Sequence, residues 1–223
     1  MQARDIPVLG GLLDAIIIFS STLARIVRHP FGFVHEIRFD DPEETKRAFK
    51  FLGAGIAFGY LLLSPALRKH SFEVSEFLFG VLVLFRLLLV AVIYHAAFLV
   101  VGHRRPIKTS LILGSYINGV YFPFFMAVML PGYLAIGPQY YFDALNDRAL
   151  TPEQISALED PLVLPALLLF FLAFPIFYAV TCRWWASAYG ANIWISALLL
   201  FTAITMAGLA NFYILSPVVR PFL

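Results

Sequence analysis

The chain has 223 residues, of which 61% are apolar and 13% charged, about half the charged fraction of an ordinary soluble domain; with a mean hydropathy of +0.83, it excludes a water-soluble globule. A net charge of +2 with no basic stripe clear of the apolar segments excludes nucleic acid as an expected partner. Cys182 is the only cysteine and the histidines (His29, His35, His70, His95, His103) are scattered, so neither a disulfide, a metal centre nor another cofactor is expected.

In chain order, residues 7–29 have helical periodicity. Leu9, Leu12, Leu13, Ile16, Leu23, Ile26 and Val27 fall near one face, and Asp14, Arg25 and Arg28 interrupt a spanning reading. The expectation is an N-terminal interfacial amphipathic helix, with a helix packed on the protein's own bundle as the other reading. A cleaved signal peptide is not expected, because Asp14 breaks a short apolar run and Arg25 and Arg28 stand where a small-residue cleavage site belongs. Pro30 closes this helix, and the charged stretch from Asp40 to Lys50 leads onward.

Five apolar stretches follow, at about 48–66, 76–101, 109–137, 161–182 and 192–215. Each reaches the ~20 residues that a helix needs to cross hydrocarbon, and lipid admits helices because it leaves no water for an open strand edge. The expected fold is therefore all-α: a polytopic bundle of five spans over residues 48–223, preceded by a cytoplasmic segment, residues 1–47.

The first stretch holds Gly55-Ile56-Ala57-Phe58-Gly59, and small residues four apart let helix backbones approach closely. Ala203, Ala207 and Asn211, beside Gly208, repeat the pattern in the fifth. Gly55, Gly59, Ala207 and Asn211 are accordingly the helix-packing candidates. In the second stretch Arg86 lies about 15 Å from Glu76 and about 22 Å from Val101 at ~1.5 Å per residue, near the bilayer middle. A charge there is costly and marks a functional site unless it snorkels or bonds to neighbouring carbonyls. Asn118 and Tyr121 in the third stretch would bond between helices, or with Arg86 line a midplane polar site beside helices bent at Pro123, Pro131, Pro165 and Pro175. Between the third and fourth stretches, Thr151-Pro152-Glu153-Gln154 predicts a capped short helix in an acidic loop.

Lys and Arg concentrate in residues 1–50 and in the connections after the second and fourth stretches: eleven of the sixteen in the chain. That excess marks the cytoplasmic side, placing the N-terminus inside and the C-terminus on the opposite side of an integral, multi-pass membrane protein.

Motifs for catalysis (CxxC, HExxH, Walker, GxGxxG, GxSxG) are absent. The turn Arg28-His29-Pro30-Phe31-Gly32-Phe33, the Ala48-Phe49 opening of the first span and the turn Gly102-His103-Arg104-Arg105-Pro106-Ile107-Lys108-Thr109 stand out. With Gly114-Ser115-Tyr116 and Pro123, over about residues 20–215, they resemble the Yip family of five-span membrane proteins in its divergent, prokaryote-like form. The Asp-Leu-Tyr-Gly-Pro signature of the family's eukaryotic trafficking members is missing. The resemblance implies a non-enzymatic scaffold or accessory subunit, with membrane lipids and either a protein partner or a second copy as its contacts. The alternative reading is a small transporter or lipid-handling protein using Arg86, Asn118 and Tyr121.

Overall fold

A computed structural model describes residues 7–69, 74–136, 152, 161 and 163–210. Among these, six α-helices follow one another and no strand is present: α1 (Pro7–Arg28), α2 (Pro42–Lys69), α3 (Val74–Val100), α4 (Ile107–Ile136), α5 (Val163–Tyr189) and α6 (Ile193–Ala210). A 3-10 turn, Phe33–Glu36, lies between α1 and α2. Of the capped helix expected at 151–154 only Pro152 is described, and it is helical; the rest of it and the acidic loop around it lie outside the described residues.

Local chemistry explains the helix ends. Asp41 Oδ1 accepts a hydrogen bond from the Glu43 backbone N–H at 2.9 Å, with Pro42 at the first helical position, where its missing donor costs nothing. Glu43 and Glu44 occupy the first turn, where carboxylates favour the positive end of the helix dipole. α2 thus begins at Pro42 rather than near 48, and the boundary expected at residue 47 falls inside one continuous helix. α3 ends at Gly102, whose φ of +90° suits glycine; the His103 N–H donates back to Phe98 O at 2.9 Å. α5 stops in the same manner at Gly190 (φ +65°), where Ala191 N–H reaches Ala186 O at 2.8 Å. Asn192 Oδ1 then caps α6 through the Trp194 N–H at 2.9 Å. α5 accordingly runs to Tyr189, past the end at about 182 expected from hydropathy.

The most extensive helix contact joins α2 to α4. A Cβ on Gly55 would lie 2.9 Å from Gly119 Cα, and one on Gly119 would lie 2.5 Å from the Phe51 ring. One turn on, a Cβ on Gly59 would meet the Phe122 ring at 2.7 Å. The backbones therefore touch where only hydrogen fits, and Phe51 and Phe122 fill the flanks, both fully buried. α3 packs on α4 and α6, and α5 on α4 and α6.

α1 packs along α2: Phe19 stacks on Phe51 with ring centroids 5.1 Å apart and lies 5.8 Å from Phe58. Of the two expectations for the first helix, the structure shows the contact with the bundle.

The start of α2, the end of α3, the start of α4, the end of α5 and the start of α6 gather at one end, through the contacts described below. Arg28, Arg38, Lys50, Arg104, Arg105 and Arg183 are exposed around it, and it is called the basic end here. Among the described residues, three helices are long and apolar enough to cross a membrane, Pro42–Pro65, Ile107–Pro131 and Ile193–Ala210, and Leu88–Val100 is a shorter apolar segment. Their outer surfaces suit lipid. Leu168 and Leu172 on α5, and Leu198 and Phe201 on α6, are exposed, while Thr202 and Thr205 return their hydroxyls to Leu198 O and Phe201 O, both at 2.9 Å. A hydroxyl facing hydrocarbon needs such a partner in its own helix.

The seam generates a contrast between two glycines on one helix. Gly55→Ala should lower stability by about 1–3 kcal/mol through overpacking. Gly53→Ala, with open space around its Cα, should leave stability unchanged or raise it. Thermal unfolding of the two variants in detergent separates them.

Candidate functional site: a polar and aromatic clasp at the basic end

Among the described residues, several buried polar side chains from four helices meet in one place. Tyr189, in the last turn of α5, puts its hydroxyl 2.6 Å from His95 Nδ1 of α3 and 2.8 Å from Ser110 Oγ of α4. Ser110 Oγ also accepts the Trp185 indole N–H at 3.1 Å. An indole can only donate, so Ser110 accepts from Trp185; Ser110 donating to Tyr189, and Tyr189 to Nδ1 of His95, then gives each hydroxyl of the run one donor and one acceptor role. His103 faces the Tyr189 backbone carbonyl at 3.1 Å; a carbonyl only accepts, so His103 carries its hydrogen on Nδ1 there.

Aromatic faces hold the same residues. Tyr189 stacks on Phe98 at 4.5 Å, and Trp185 stacks on Tyr94 at 5.2 Å. Tyr94 donates to Ser196 O of α6 at 2.7 Å, and the Ser196 hydroxyl donates to Cys182 O of α5 at 2.7 Å. Four helix ends are thereby fastened to one another by side chains that, His103 apart, are buried.

The segment between α1 and α2 docks on this clasp. The Trp184 indole N–H donates to Pro30 O at 2.5 Å. Phe33 sets its edge against Tyr116, centroids 5.2 Å apart, and lies 5.3 Å from Trp184. Arg25 lies 5.4 Å from the centroid of the Phe33 ring, close enough for a cation–π contact, and pairs with Glu36. Beneath them the Tyr116 hydroxyl donates to Glu44 Oε1 at 2.5 Å, and Arg47 holds the other carboxylate oxygen at 3.1 Å. Glu44 is 5% exposed, and a carboxylate so buried needs partners of this kind to offset its lost hydration.

These groups are committed to one another. Their chemistry is that of a fastening, since the Tyr94, Ser110, Tyr189 and Ser196 hydroxyls and both indoles are bonded within the protein. Among the described residues no group of three His, Cys, Asp or Glu side chains is gathered for a metal.

The residues singled out from sequence are dispersed. Gly55 and Gly59 face α4, so that face is occupied within the chain; Ala207 is fully buried in α6. Asn211 lies outside the described residues. Arg86 lies in α3, with its side chain outside those described. Asn118 is buried on α4, whereas Tyr121 turns towards α5, edge-on to Phe177 at 5.4 Å. Ser110, Glu44, Trp184, Trp185, Tyr189 and Ser196 were not picked out, and Tyr116 entered only within Gly114-Ser115-Tyr116. Their one local signal is a Trp pair and a Tyr just after Arg183, at the basic end of an apolar helix.

Compared with family models, with curated proteins and with solved structures, the chain matches none.

Two substitutions test the clasp. Tyr189→Phe keeps the stack on Phe98 but leaves His95 and Ser110 short of a partner, and should cost about 1–3 kcal/mol, read as a lower unfolding midpoint. Trp184→Phe should release the Pro30 turn. Tryptic cleavage after Arg38 should accelerate several-fold in a limited-proteolysis time course, with the α2–α6 fragment staying folded.

Proposed function

We propose that this chain is an integral-membrane scaffold or accessory subunit that acts through contacts with protein and lipid and performs no catalysis. α2 to α6 form five spans, with the basic end cytoplasmic and the end of α6 on the opposite side. The supporting observation is the clasp: the chemically capable side chains gathered inside the protein are consumed in fastening helix ends. The clustering of exposed Arg and Lys at the end where α2, α4 and α6 begin supports the orientation. The order of α2 to α6, the Pro30–Phe33 turn and the Gly102 basic turn support placing this part of the chain near the Yip family.

Because Gly55, Gly59 and Ala207 are buried within the chain, a partner must meet other surfaces, such as the outward faces of α1, α5 or α6. Purification of the tagged full chain from its native membranes in mild detergent should recover a protein partner at constant stoichiometry. Homogeneous protein carrying only lipid would overturn this reading.

A further inference from the structure

We infer that α1 is itself a membrane-crossing helix, antiparallel to α2, and that its outer face docks a partner's transmembrane helix bearing a basic side chain opposite Asp14. The docking half rests on the accessory-subunit reading; the crossing half does not.

Three observations place α1 in hydrocarbon. The first is depth. Arg25 joins Glu36 and Phe33 at the basic end, whereas Phe19 lies between Phe51 and Phe58, about 14–24 Å along α2 from Pro42 at ~1.5 Å per residue. Moving back from Arg25 towards the N-terminus therefore descends alongside α2. The second is length: the 22 residues of α1 extend about 33 Å, enough for a hydrocarbon core of about 30 Å.

The third is the character of the face turned away from α2. Phe19, Thr22 and Ile26 are buried against the bundle, while Leu13, Ile16 and Ile17 are exposed. Ser20 donates to Ile16 O at 2.8 Å and Ser21 to Ile18 O at 3.2 Å. A helix lying in the interface presents a charged face to water. Between Gly11 and Ala24 this one has a single charge, and its hydroxyls are turned inward as lipid requires.

That single charge is Asp14. It is exposed on the free face, about 21 Å from Arg28 along the axis and therefore deep in the bilayer. It makes no ion pair or hydrogen bond among the described residues. A carboxylate at that depth is costly unless paired, and the pairing group is a cation or strong donor at the same level. At helical spacing Asp14, Ile17, Ser21 and Ala24 share one stripe of this face, where the small Ser21 and Ala24 admit a close neighbour. Charge and shape together select a transmembrane helix with Lys or Arg near its middle.

The crossing is tested first, with Gln2→Cys and, separately, Arg38→Cys in the full chain in sealed membranes; Cys182 is buried and gives little background. A membrane-impermeant maleimide should label the two variants from opposite sides, and labelling from the same side would overturn the inference. The docking is tested by co-purification. Asp14→Leu should reduce partner recovery at least tenfold with an unchanged elution volume and unfolding midpoint, since the site is exposed, while Asp14→Glu retains the partner. The partner should carry a mid-span Lys or Arg, and exchanging the two charges between the proteins should restore recovery. A partner that stays bound to Asp14→Leu would overturn the docking and leave the accessory-subunit reading standing. Wild-type protein recovered alone would sink both that reading and the docking, and a homodimer lost on Asp14→Leu would overturn the foreign helix as occupant.

Discussion

Where Gly55 meets Gly119, two helix backbones touch with no side chain between them. In lipid the hydrophobic effect gives helices little reason to associate, so close contact and hydrogen bonds must do so. The contact along this seam also fixes what lies above it. Phe51 covers Gly119 and lies 5.5 Å from Tyr116, and Tyr116 in turn reaches Glu44 at the head of α2. A bulkier residue at the seam would separate α2 from α4 and move Glu44 away from the hydroxyl that keeps it paired. The packing in the middle of the bundle and the electrostatics at its basic end are thus one arrangement.

The clasp shows how polar groups are used where water is scarce. Each donor is paired with an acceptor on another helix, and the aromatic rings that carry those groups stack on one another. This gives directional links between α3, α4, α5 and α6 that apolar packing alone would leave free to slide. Such a network specifies one arrangement of helix ends, and its members are replaceable only in pairs. The price is that His95, Ser110 and Tyr189 are withdrawn from any chemistry with outside molecules.

Much of the fold was legible because hydropathy and length are local. The described parts of the five apolar stretches are almost wholly helical, and the Gly55/Gly59 spacing pointed to the tight seam. The early start of α2 at Pro42 was carried by its cap, Asp41-Pro42-Glu43-Glu44, a signal that hydropathy overlooks because those residues are charged. The clasp was not legible, for a different reason. His95, Ser110 and Trp185 bond to residues 94, 79 and 75 positions away, and nothing in a single sequence says which serine faces which tyrosine. Asp14 was read as a break in an apolar run; the stacking of Phe19 on α2 gives it a depth.

The bond from Trp184 to Pro30 joins residues 154 positions apart. At synthesis rates of about 5–20 residues per second, roughly 8–30 s pass between the emergence of the turn and the arrival of the indole that holds it. Over that interval α2, α3, α4 and most of α5 are made while Pro30 still lacks the Trp184 indole. The contact that holds the Pro30 turn is therefore a late one, made only once α5 has been synthesised.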